Sequence, residues 1–172
     1  MRAGYRLWQV LANLSAPDRA DGLPSAADFL TEGELRLFRK LSAADRGHSL
    51  RVLAALLRTG ERDDDLLAAA LLHDVGKAST RLRPWERALA VVGRWLAPRW
   101  ARTVGSGEPH GWRRAFVIAE QHPSWGAQVL RQAGSSRRLI WLVEQHQNEP
   151  PQPASGDLGE ALRRLQAADD RN

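Results

Sequence analysis

The 172-residue sequence predicts an all-α protein, a single-domain helical bundle. Apolar residues recur at helical spacings of three and four. No convincing alternation of apolar and polar residues reads as a strand. Stretches rich in Gly, Pro, Ser and Asp separate the periodic segments. Roughly seven to nine helices follow from this pattern. Residues 1–27 read as an N-terminal helix and loop, and residues 28–172 as the domain.

The elements run in order. Leu7, Trp8, Val10, Leu11 and Leu14 suit a short first helix, and residues 15–27 a loop. Thr31 and Glu34 have the spacing of a capping box, followed by Leu35, Phe38 and Leu41. Ser42 with Asp45 caps a helix carrying Leu50, Leu53, Ala54 and Leu57, which stops near Gly60. Residues 64–74 are apolar almost all round, the mark of a buried central helix. Pro84 opens a helix with Trp85, Ala88, Leu89, Val92, Trp95 and Leu96 on one stripe. Residues 97–111, rich in Gly and Pro, read as a surface loop. Helices at about 112–121 and 123–133 follow, broken at Pro123. Another runs from Arg137 to His146, with Arg137 and Arg138 on its exposed face. Residues 147–156 are a Pro-rich loop, and Asp157 to about Ala168 forms the last helix.

Composition narrows the function. There is no cysteine, which excludes disulfides, cysteine zinc sites, iron–sulfur clusters and a thiol nucleophile. With 43% hydrophobic and 26% charged residues the balance is that of a folded domain. No apolar run is long enough for a transmembrane span, and the N-terminus lacks signal-peptide character, so a cytoplasmic location is expected. Basic residues outnumber acidic ones 25 to 20, and all but Lys40 and Lys77 of the basic ones are arginine. GC-rich coding accounts for the arginine excess as a whole. The positive balance favours anionic ligands, phosphates or nucleic acid.

Five histidines are present: His48, His73, His110, His122 and His146. His110 lies in the Gly/Pro stretch and reads as solvated. His73 and Asp74 close the most apolar helix. A carboxylate there is costly unless paired or bound to a metal. Imidazole with carboxylate is the natural ligand set for iron, manganese, zinc or a similar divalent ion.

The ordered set His48, His73-Asp74 and Asp169 resembles the H…HD…D pattern of the HD-domain metal-dependent phosphohydrolases. The strings Asp45-Arg46-Gly47-His48-Ser49, Leu71-Leu72-His73-Asp74-Val75-Gly76-Lys77 and His122-Pro123-Ser124-Trp125-Gly126-Ala127 are similar to that family too. The likeness covers roughly residues 45–170. It implies that His48, His73, Asp74 and Asp169 bind one divalent metal. Asp74 would bridge to a second held by His122 and His146. Iron or manganese come ahead of zinc, nickel, cobalt or magnesium. Asp169 is preferred to Asp170 because it follows Ala168, as in the family's Ala-Asp pattern. A one-metal alternative leaves His122 and His146 only shaping the pocket.

The implied activity is hydrolysis of a phosphate ester or phosphoanhydride, of a nucleotide or another small phosphorylated substrate, by metal-activated water. Asp74 would help orient the nucleophile. Lys77, four residues after His73, would steady the phosphate if the helix continues that far. Arg81 and Arg83 read as a solvated turn, with a phosphate path the lesser alternative. The chain lacks the Gly-Tyr-Pro tripeptide of the cyclic-di-GMP phosphodiesterase branch, since Gln147-Asn148-Glu149 follows His146. Two other functional readings stay open: a non-catalytic nucleotide-binding or scaffold module, and a di-iron oxygenase of the same superfamily. No stable nucleic-acid partner is expected. Trp85, Trp95 and Trp100 read as core or a homodimer face, ahead of a base-stacking platform or a membrane-touching segment.

Overall fold

The computed structural model describes residues 24–78, 80, 82–148 and 156–172. The expected first helix, most of the loop after it, Arg81 and most of the Pro-rich loop lie outside these residues. Among the described residues there are eight α-helices and no strand. They are α1 (Glu32–Arg39), α2 (Ala43–Arg58), α3 (Asp64–Leu72), α4 (Pro84–Leu96), α5 (Pro98–Gly105), α6 (Arg114–Ala133), α7 (Arg137–Gln145) and α8 (Gly156–Asp169). Short 3-10 turns lie at Ala26–Asp28, Val75–Lys77 and Gly111–Arg113. The described residues fall into two compact units, 24–78 with 123–172, and 80–122. The division passes through the continuous helix α6, between His122 and Pro123.

The first unit is built around α3. Leu66, Leu71 and Leu72 are fully enclosed, joined by Val52 and Leu53 of α2, Leu139 and Leu142 of α7, and Leu165 of α8. The caps are local chemistry. Thr31 N–H donates to Glu34 Oε2 at 2.9 Å, and Glu34 N–H donates to Thr31 Oγ1 at 3.4 Å, a reciprocal capping box. Ser42 Oγ accepts from Asp45 N–H at 3.1 Å and starts α2. Asp63 Oδ1 accepts from Leu66 N–H at 3.1 Å and starts α3. Gly60, at φ +83°, ends α2: its N–H reaches Leu57 O, and Glu61 N–H reaches Leu56 O. That paired bonding is the Schellman arrangement, which glycine adopts without steric cost.

Arg138 departs from its expected place on a solvated face. Its guanidinium meets Asp63 Oδ2 at 2.6 Å and Asp157 Oδ2 at 2.7 Å. It thereby ties α7 to the starts of α3 and α8.

The 80–122 unit holds two further corrections. Residues 97–111 are not simply a surface loop, because 98–105 form α5, with Pro98 in its first turn and Ala101 and Gly105 buried. Pro is tolerated at that position because its missing N–H has no intrahelical partner there. Pro123 does not break the later helix, and α6 runs through it. Glu86 is buried and meets Arg114 Nη1 at 3.1 Å. Arg94 donates to Ala119 O at 3.1 Å. A Cβ on Gly93 would collide with the Phe116 ring, so glycine is what lets α4 approach that ring.

Candidate metal centre

Three helices of the first unit end at residues with metal-ligand chemistry. His73 caps the C-terminus of α3, His146 caps that of α7, and Asp169 is the last residue of α8. Helix C-termini carry partial negative charge, which favours a cation nearby. His48 comes from the first half of α2, and Asp74 from the turn following His73. The five residues thus come from four places in the chain.

Their distances show which of them converge. His48 Nε2 lies 2.8 Å from Asp169 Oδ1, and His73 Nε2 lies 3.6 Å from the same oxygen. His73 Nε2 is also 3.7 Å from Asp74 Oδ2, and His146 Nε2 is 3.8 Å from Asp74 Oδ1. The His73 ring stands edge-on to both His48 and His146, with centroids 5.3 Å apart in each case. His48, His73 and Asp169 can present ligand atoms that lie within 4.8 Å of one another. His73, Asp74 and His146 are buried, while His48 and Asp169 are partly exposed.

The imidazoles are oriented by the backbone. His73 Nδ1 is 3.1 Å from Ala70 O, and His146 Nδ1 is 2.7 Å from Val143 O. A carbonyl only accepts, so each Nδ1 carries its proton, and in the neutral ring Nε2 is left as a lone pair. This tautomer is what metal-binding histidines show. His73 Nε2 is buried and has no hydrogen-bond partner. An unsatisfied buried nitrogen is costly, and a cation beside Asp74 and Asp169 would satisfy it. The donor set of imidazole nitrogen and carboxylate oxygen fits a divalent transition ion.

Electrostatics keep the acids ready for such an ion. Burial pushes the Asp169 carboxyl up, but the positive charge that the His73 ring carries when protonated and the hydrogen bond from His48 outweigh it and hold the group at about 2. Asp169 is therefore ionised at neutral pH. Lys77 Nζ lies 2.7 Å from Asp74 Oδ1. Helix α3 stops at Leu72, so Lys77 reaches this carboxylate by the 3-10 turn, three residues on, and not along a continued helix.

His122 is the last residue of the 80–122 unit and is fully buried on α6. Its Nδ1 lies 2.9 Å from Ile118 O, which fixes the same tautomer as in His73 and His146. His110 is exposed, and Arg83 is exposed at the start of α4.

Two contributors to the centre are not evident from spacing. Gln166 Nε2 donates to His146 O at 3.1 Å and to Asn148 O at 2.9 Å, holding the end of α7. A Cβ on Gly126 would lie 3.1 Å from Val143 Cγ1 and touch Gly76 N and Val75 Cγ1 at 3.4 Å, so glycine lets α6 pack closely against α7 beside the turn that follows Asp74. The glycine stands in the string already singled out beside His122. Nothing in the sequence marks Gln166.

The family model for the HD domain matches residues 46–171, well over half of the chain. No curated protein and no solved structure matches it.

Proposed function

The chain belongs to the HD-domain family, the superfamily of metal-dependent phosphohydrolases, and from that membership we propose that it hydrolyses a phosphate ester or phosphoanhydride of a nucleotide. The observation that carries the reading is the buried, unsatisfied Nε2 of His73 between two carboxylates. Bound divalent ions would supply activated water and neutralise phosphoryl oxygens.

His48, His73 and Asp169 would hold one ion. Asp74 would be shared with a second, held also by His146 and His122. His122 is assigned on its burial and its Nδ1–Ile118 O bond, which gives it the same tautomer as His73 and His146. Asp74 accepts the Lys77 ammonium through Oδ1, and this contact fixes the carboxylate. Lys77 is itself a quarter exposed and places positive charge where a phosphate would arrive.

A direct test incubates the manganese- or iron-loaded protein with bis(p-nitrophenyl) phosphate, nucleoside triphosphates and cyclic nucleotides. Product release that disappears in His73→Ala supports the reading. Nucleotide binding without turnover by the loaded protein would replace it with the binding-module reading. Retention of one ion in His122→Ala, where the parent holds two, supports the assignment of His122. Unchanged metal content removes it.

A further inference from the structure

Helix α4 is turned with its apolar side outward. Trp85, Ala88, Leu89, Val92, Trp95 and Leu96 make one stripe, and none of them is buried. Trp85, Trp95 and Leu96 are 54%, 63% and 67% exposed. The inward side is carried by Glu86, Ala90 and Gly93: the first two are buried, and the third meets the Phe116 ring. The sequence predicts Trp85, Trp95 and Trp100 as core or a homodimer face; their exposure overturns the core half of that expectation, and on α4 the small residues on the opposite side allow the closer packing.

Charge accompanies the stripe. Residues 80–122 contain eight arginines, no lysine and three acids, all glutamate, so they carry the whole formal charge of +5, and the remainder of the chain is formally neutral. Exposed Arg83 and Arg99 flank the two ends of α4 in the chain. Trp100 and Trp112 are also about half exposed, and their rings lie parallel, 5.8 Å apart.

We propose that α4 docks in the headgroup region of an anionic phospholipid bilayer. The outward stripe enters the interface, and the exposed Arg83 and Arg99 neutralise lipid phosphates. An amphipathic helix with aromatic and aliphatic residues on one side and arginine around it is built for that boundary. Its 13 residues span about 20 Å, suited to lying in the plane. No helix among the described residues is long and apolar enough to cross a membrane.

Nucleic acid fits less well. Leu96, the most exposed member of the stripe, offers no ring for base stacking. Trp100 and Trp112 occupy one face of each other, and Arg113 lies over Trp112 at 5.6 Å. A second copy would bring together two units of charge +5, which repel.

The test is flotation of the full chain with phosphatidylcholine vesicles, with and without phosphatidylglycerol. Binding to the anionic vesicles is expected to weaken with salt and to shift tryptophan emission to the blue. Trp95→Ser with Leu96→Ser lowers the partition roughly tenfold or more. Arg99→Glu weakens the preference for the anionic vesicles roughly tenfold or more. Circular dichroism shows that each variant remains folded. Absence of vesicle binding by the parent, or binding untouched by the stripe variant, overturns the proposal. RNA binding without vesicle binding overturns it in favour of nucleic acid. A dimer dissociated by the stripe variant, without vesicle binding, overturns it in favour of a second copy.

Discussion

The unit of residues 24–78 and 123–172 buries its leucines and keeps a few polar side chains inside for the candidate centre. The 80–122 unit buries Phe116, Val117 and Ile118 of α6, but its α4 and α5 do the reverse, putting alanine and glycine inward and turning tryptophan and leucine outward. Both contain amphipathic helices. Periodicity establishes which residues share a face. Which way that face turns depends on the opposite side. In α3 there is no polar side to turn out beyond the first turn, so the helix is enclosed. In α4 the opposite side holds Ala90 and Gly93, and Phe116 fits there.

Substitutions can break this comparison. The largest effect belongs to the centre: His73→Ala or Asp74→Asn should reduce phosphohydrolase turnover to background while circular dichroism stays helical. Leu71→Ala, in a fully enclosed position, should cost about 2–5 kcal/mol in urea unfolding. Gly93→Ala adds one methyl against Phe116 and should cost about 1–3 kcal/mol, although alanine is the better helix former.

A smaller effect tests the caps. Burial pushes the Asp63 carboxyl up, but the Arg138 hydrogen bond, the Leu66 N–H and the Arg138 charge hold it below its ordinary 3.8. A depressed folded value means that the stabilisation is complete above the unfolded value and is lost as pH falls through the folded one. Asp63→Ala should cost about 1–2 kcal/mol at neutral pH. The gap to the parent should narrow below about pH 4, as followed by thermal melts across pH. The smallest effect is the sharpest contrast with Leu71: Leu96→Ser should change stability by less than about 0.5 kcal/mol.

Much of the first unit is legible in the chain. Thr31/Glu34 and Ser42/Asp45 cap helices through contacts within three residues, which sequence spacing records directly. The His and Asp residues of the centre stand in a recognisable order, and the structure brings five of the six together in one unit. Their convergence at helix C-termini is not legible, because it depends on where α3, α7 and α8 stop. Lys77 reaches Asp74 only because α3 gives way to a 3-10 turn. Helix α5 is hidden behind the two prolines and three glycines of residues 97–111, which read as loop. Pro123 reads as a break, yet α6 continues through it. The outward stripe of α4 escapes notice because its reason, the fit of Gly93 to Phe116, spans 23 residues.

The most direct measurement is elemental analysis of the protein purified without added metal, beside the His73→Ala/Asp74→Ala variant. About two transition ions per chain, lost in the variant, are expected from the shared-carboxylate centre. No bound metal, even after reconstitution with manganese or iron, would contradict it.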